Sequence, residues 1–237
     1  MPNRAFLLGV VMFKDWSTSS KIVFPIGVMA ILLSTILTTA NLGYMSILGI
    51  VGAVFGFLSV VLIVNKNRYA GYAGTVSALV YMVVSWVSGN FSDSILNVLF
   101  LIFLNLPLIF NKNYTENKEP NSLKGNKFVI ESLISVGVVV FFGLYIFETA
   151  VMHAPRPEWS VTAATLGIVA SVATSIFVVK ESFFIWSIQN ILQVALWAVT
   201  YNQTHSGIAF TMLVTYIMYT INASTGFFNG KWYVKTT

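Results

Sequence analysis

Between residues 22 and 228 the chain is a succession of apolar, charge-poor runs, each close to the roughly 20 residues that a helix needs to cross about 30 Å of hydrocarbon. The runs are Ile22–Ala40, Leu42–Val64, Tyr69–Ser88, Ser94–Phe110, Phe128–Phe147, Trp159–Val179, Ser182–Tyr201 and Ser206–Phe228. Only Phe128–Phe147 contains a charge, Glu131, near its start. Each run is far longer than a barrel strand of about 10 residues and none alternates in polarity, so a helical bundle is predicted. Of 237 residues, 57% are hydrophobic and 9% charged. A soluble domain carries roughly 25% charged residues, and no soluble fold hides so much apolar surface. The expectation is an all-α integral membrane protein with eight spans.

Short connections join the spans except at Asn111–Lys127, a polar segment holding Lys112, Lys118, Lys124, Lys127, Glu116, Glu119 and Pro120. Near the amino terminus the apolar stretch Ala5–Phe13 is too short to span, and Lys14, Asp15 and Trp16 follow it instead of a small-residue cleavage site. It reads as an interfacial helix. There is no cysteine, hence no disulfide and no thiolate metal site, and two histidines, His153 and His205, are too few for a metal cluster. The formal charge of +5 comes from basic residues scattered between apolar runs, a pattern of membrane topology and not of nucleic-acid binding.

Lysine and arginine placement sets the orientation, because cytoplasmic connections keep positive charge. With the amino terminus inside, Arg4, Lys14, Lys21, Lys66, Arg68, Lys112, Lys118, Lys124, Lys127, Lys180, Lys231 and Lys235 all lie inside and only Arg156 lies outside. That distribution supports eight spans in the cytoplasmic membrane, with both termini cytoplasmic.

Leu42–Phe110 and Trp159–Phe228 each hold three spans, with a basic connection between the first and second (Lys66 and Arg68; Lys180) and a neutral or acidic one between the second and third. Leu-Gly-Ile-Val recurs at Leu48–Val51 and Leu166–Val169. A three-helix unit ends on the side opposite its start, so a second copy in the same orientation needs one returning helix, and Phe128–Phe147 supplies it. Two parallel three-helix repeats, a connecting helix and an extra N-terminal transmembrane helix are therefore predicted, with a substrate site between the repeats near the midplane. The boundaries are 1–41 for the N-terminal segment and helix, 42–110 for the first repeat, 111–127 for the cytoplasmic loop, 128–158 for the connecting helix, 159–228 for the second repeat and 229–237 for the tail.

Polar residues inside spans point to that site, because hydrocarbon satisfies none of them. Trp186, Gln189, Asn190, Gln193 and Trp197 fall at i, i+3, i+4, i+7 and i+11, on one helical face. Three carboxamides between two indoles suit a flat, hydrogen-bonding ligand, or a cation held against an aromatic face. The last span adds Thr215, Tyr219 and Asn222, with Tyr216 and Thr220 nearby; the first repeat offers Tyr72, Thr75, Tyr81, Ser85, Trp86 and Asn105. No carboxylate stands near the middle of a span: Asp93 and Glu148 fall at the outer boundary and Glu131 near the inner one. The missing acid favours uniport over ion coupling. No Walker loop, HExxH, GxSxG or acidic metal cluster occurs, so an enzyme is not expected, nor a cofactor.

The span plan, the Trp186-x-x-x-Asn190 pattern after a basic connection and Asn222 near the end of the last span resemble the PnuC family of vitamin and nucleoside transporters, from about Leu42 to Trp232. The resemblance implies a full-length relative of the SWEET sugar transporters, often trimeric, that carries nicotinamide riboside by facilitated diffusion and traps it by intracellular phosphorylation. Family members often carry an Asn in the second span of the first repeat, where this chain has Tyr72-Ala-Gly-Thr-Val. For nicotinamide riboside, Trp186 or Trp197 would stack on the pyridinium, Gln189 and Asn190 would read the amide or ribose, and Asn222 with Tyr219 would close the opposite side. Gln193 is a second-choice contact, and Tyr81 and Asn105 are the first repeat's contributions. Thiamine, riboflavin, deoxynucleosides or, for a SWEET-type carrier, a sugar remain alternatives. Expected partners are the small-molecule substrate, the lipid bilayer and two further copies in a homotrimer, and no nucleic acid.

Overall fold

A computed structural model describes residues 16–38, 43–111, 120–229 and 232; the stretch Ala5–Phe13 lies outside them. The described chain is helical, with one isolated bridge, Asn121 to Val179, and no β-strand among the described residues. The helices are α1 (Thr18–Thr38), α2 (Tyr44–Val64), α3 (Ala70–Val87), α4 (Phe91–Phe110), α5 (Lys127–Met152), α6 (Pro157–Ser175), α7 (Ser182–Thr204) and α8 (Gly207–Asn229). Each matches one predicted run to within a few residues at either end.

Seven of these helices are long and apolar enough to cross a membrane; α6 is the exception. Its 19 residues are rich in Ala, Ser, Thr and Gly, and 13 of them are buried. Small residues at helix contacts let backbones approach closely, so α6 trades apolar bulk for packing on both sides. A Cβ on Gly167 would stand 2.9 Å from Leu96 of α4.

Six helices close a ring: α2 packs on α3, α3 on α4, α4 on α6, α6 on α7, α7 on α8 and α8 back on α2. The remaining two lie outside it in related places. α1 packs on α2 and α8, and α5 packs on α6. One end of the ring carries the α2–α3 and α6–α7 turns together with the ends of α4 and α8. Asn111 Nδ2 donates to Ser175 O at 2.9 Å, and Trp232 Nε1 donates to Ile63 O at 2.9 Å while its ring meets Phe183 edge-on. This end holds Lys66, Arg68 and Lys180 and is called the basic end below. The opposite end carries the α3–α4, α5–α6 and α7–α8 turns.

α4 is interrupted by a π turn over Leu101–Asn105, in which Leu106 N–H reaches back to Leu101 O. Pro107 explains it. Proline has no N–H for the carbonyl of Phe103 four residues earlier, and the irregularity persists only where another group satisfies that carbonyl. Ser175 Oγ of α6 donates to Phe103 O. The π turn leaves Asn105 buried and facing α3, where Gly71 and Gly74 make room for it.

A Cβ on Gly71 would lie 2.5 Å from the backbone carbonyl of Asn105, an atom that cannot move aside. Gly71→Ala is therefore expected to cost about 1–3 kcal/mol of stability, read as a lower thermal midpoint of the detergent-solubilised protein. An unchanged midpoint would mean that the α3–α4 crossing is looser than described.

Candidate functional site

Inside the ring lies a cavity with ≈ 80 Å³ open to the centre of a water molecule, lined from five helices. α2 contributes Gly56, Ser59, Val60 and Ile63, α3 contributes Gly74, Ser77, Ala78 and Tyr81, and α4 contributes Asn97, Phe100, Leu104 and Asn105. Phe183, Trp186, Gln189 and Asn190 come from α7, and Tyr216, Tyr219, Asn222 and Ala223 from α8. Most of these residues lie in the basic-end half of their helices, and Tyr81, Asn97 and Tyr216 carry the cavity past the middle. No charged side chain is among them.

The walls are held from behind. Trp186 Nε1 donates to Thr174 Oγ1 of α6 at 2.8 Å, and the indole meets Phe100 with centroids 5.7 Å apart. Tyr219 stacks on Phe57 at 6.2 Å and meets Tyr216 edge-on at 5.2 Å. Gly56 admits the Tyr219 hydroxyl, which a Cβ there would overlap, and Gly74 admits Asn105 Oδ1 in the same way. Two carbonyl oxygens of the wall, Gln189 Oε1 and Asn222 Oδ1, are buried with no hydrogen-bond partner among the described residues. An acceptor left bare in a buried site costs roughly 1–3 kcal/mol. Water or a ligand with N–H or O–H groups relieves that cost, and a cavity of this size holds several waters at about 10–15 Å³ each.

Seven of the nine predicted site residues meet at this cavity: Trp186, Gln189, Asn190, Tyr219, Asn222, Tyr81 and Asn105. Gln193 and Trp197 do not line it. Both are fully buried toward the opposite end, where Gln193 Nε2 donates to Asp93 Oδ1 at 2.6 Å and Trp197 packs into the apolar core. The shared helical face is real, but it outruns the cavity by more than a turn. In α3, Tyr72 and Trp86 turn outward, at 55% and 48% exposure. Asn97, Phe100 and Tyr216 are lining residues beyond the predicted set. Asn97 was detectable, since it is a carboxamide in an apolar run and lies eight residues from Asn105, on the same face of α4.

The acids require a larger correction. Asp93 and Glu148 do stand at helix ends, yet both are 0% exposed. Asp93 accepts from Ser85 Oγ at 2.6 Å as well as from Gln193. Glu148 Oε1 accepts from Ser92 N at 2.6 Å and Ser160 Oγ at 2.7 Å. Arg156, only 5% exposed, crosses this end of the ring: Nη2 donates to Ser88 O and Asn90 Oδ1, both at 3.0 Å, and Nη1 donates to Gln203 Oε1. Burial lowers the pKa of its guanidinium from the ordinary value, and Glu148 and Glu158 act against that shift. The chain thus does bury carboxylates at these helix ends, although none lines the cavity. They are buried because the connections fold over the helix ends. His153 and His205 are exposed and end α5 and α7 in left-handed conformations, at φ 48° and 49°.

Removing Arg156 strands Asn90 Oδ1 and takes the countercharge from Glu148. Arg156→Met is expected to lower stability by about 1–3 kcal/mol, hence the thermal midpoint by a few degrees or more. An unshifted midpoint would show that the guanidinium does not hold this end closed.

The family described as nicotinamide mononucleotide transporter matches residues 46–234. A curated relative, the nicotinamide riboside transporter PnuC of Neisseria mucosa, is 27% identical over 193 residues, covering 78% of this chain and 72% of the relative. A crystal structure of the vitamin B3 transporter PnuC superposes with a TM-score of 0.73 at 21% identity, covering 93% of this chain and 92% of that one. The chain is thus a membrane transporter and not an enzyme, and it belongs to the nicotinamide mononucleotide transporter family, the PnuC family.

Proposed function

We propose that this chain carries nicotinamide riboside across the cytoplasmic membrane by facilitated diffusion, with trapping by phosphorylation on the inside. The observation that carries the reading is the cavity wall: one positioned indole, three tyrosines and five carboxamides, two of whose buried oxygens lack partners, with no charge among the lining residues. A pyridinium suits the aromatic faces, and a ribose and a carboxamide supply the donors that Gln189 and Asn222 lack.

The family description names the mononucleotide, whereas the curated relative is named for the riboside. A phosphate would bring negative charge into a buried site, and such groups are met by Arg, Lys or a helix N-terminus. The lining residues include no Lys, Arg or His. The riboside is therefore the better fit. Facilitated diffusion rests on the same neutral wall, since no lining carboxylate is available to exchange a proton or bind sodium during transit.

The proposal extends to the topology. The cavity runs from the middle of the ring toward the end that holds Lys66, Arg68 and Lys180, which the positive-inside rule assigns to the cytoplasm. Both termini are then cytoplasmic, and two parallel repeats divide the ring, α2–α4 from α6–α8. In the same reading α1 and α5 hold related places, one before each repeat, and the trimer expected from the family resemblance is the working assembly.

Calorimetric titration of the purified protein with nicotinamide riboside, thiamine, riboflavin and a deoxynucleoside tests the substrate. Saturable heat is expected with the riboside, lost in Trp186→Ala. Heat with another ligand instead would reassign the pocket. Asn190→Leu and Gly74→Ala, the second pressing on Asn105, are each expected to reduce uptake roughly tenfold or more without loss of the folded protein. Proteoliposomes lacking a kinase should equilibrate the labelled riboside and not concentrate it; accumulation against a gradient would refute facilitated diffusion.

A further inference from the structure

Three ionisable groups are buried at the end of the ring opposite the basic one, and their charges do not cancel. Arg156 and Glu148 act on each other electrostatically, and Arg156 offsets the negative charge of Glu148. Asp93 has no such partner. Its two carboxylate oxygens are taken by neutral donors, Ser85 Oγ on Oδ2 and Gln193 Nε2 on Oδ1, and no ion pair to it occurs among the described residues. Two donors turned onto both oxygens suit an ionised, acceptor-only carboxylate. An ionised acid in a dry site is costly unless a positive charge comes near it.

The cavity is where that charge arrives. Asn97, one turn along α4 from Asp93, lines the cavity and returns its Nδ2 to the Asp93 carbonyl at 2.8 Å. Gln193 lies one turn beyond Gln189, whose side chain is in the wall. Asp93 thus stands one layer of side chains beyond the cavity wall, and no lining group screens it with a charge of its own.

We propose that Asp93 is a specificity-determining residue, the fixed countercharge that makes this cavity prefer a cationic aromatic substrate over a neutral one of the same shape. It acts at a distance and touches no substrate; Ser85 and Gln193 position it. The proposal rests on the transport reading above and adds to it the origin of charge selectivity. A unit charge across one layer of side chains, at an effective dielectric near 20, shifts affinity by roughly tenfold or somewhat more.

The test compares nicotinamide riboside with its reduced dihydropyridine form, which is neutral and nearly the same shape, as ligands of the intact purified protein. The wild type is expected to bind the cation more tightly. Asp93→Asn should weaken the cation roughly tenfold and leave the neutral form within about twofold. Gln193→Lys pairs the Asp93 charge from behind the wall, since Gln193 bonds Asp93 and does not line the cavity; against Gln193→Met, of similar size, it should lower the cation-to-neutral ratio by a comparable factor, so the test does not depend on Asp93→Asn folding. Equal losses for both ligands, or an unchanged ratio in both comparisons, would overturn the proposal and leave the transport reading intact. A wild type that binds neither ligand would overturn both.

Discussion

Hydrocarbon offers a polar group nothing to bond with, so every donor and acceptor in a spanning helix must find its partner within the protein. In this chain many of the hydroxyl residues meet the demand locally. Ser171 bonds Gly167 O, Thr174 bonds Ala170 O, Thr200 bonds Leu196 O and Thr215 bonds Thr211 O, each one turn back on its own helix. Asn and Gln are too long and carry too many donors for that solution. They turn into the ring, and where the ring has no partner for them a cavity remains. The apolar residues can face lipid, so the arrangement of six helices around a polar interior follows from how few residues cannot.

Helix α7 shows what a sequence reveals of such an interior and what it withholds. The spacing of Trp186, Gln189, Asn190, Gln193 and Trp197 places them on one face, and in the structure that face does point into the ring. From first to last the stripe rises about 16 Å, and only its first three members reach the cavity. Where the cavity ends is decided by α4, whose Asp93 takes up Gln193, and by the apolar core that takes up Trp197. Periodicity reports direction around a helix, and depth along it depends on which neighbour arrives. The seven residues that do line the cavity were legible because their placement needed direction alone.

The acids fail for a related reason. Position at the end of an apolar run reads as a position at the water surface, and for Glu131 on α5, 61% exposed and near Lys127 at 3.6 Å, it is one. Asp93 and Glu148 hold equivalent places in sequence and see no solvent. Residues 88–90 form a tight connection and Arg156 lies across it, so protein replaces water over those helix ends. Similarly, α6 is less apolar than its neighbours, yet it is the helix that the ring encloses most completely. Hydropathy measures what a helix offers to lipid, and α6 offers it little.

The two ends of the ring are closed by different materials, and the difference bears on transport. At the basic end Phe183, Trp232 and Val64 pack as an apolar cluster beside the cavity. At the other end the closure is polar: Arg156 with Asn90, Ser88 and Gln203, and Glu148 with Ser92 and Ser160. Deleting one member of a polar closure strands its partners in a dry place and costs their full desolvation. Opening the same closure to water costs far less, because each group exchanges a protein partner for a solvent one, and the net worth of such a bond is only about 0.5–1.5 kcal/mol. A hydrogen-bonded seal is therefore stable against mutation-free fluctuation only through the number of its bonds, and it yields cooperatively when water enters. In this chain the polar closure is the one built around Arg156, which is bonded to more partners than any other side chain at that end.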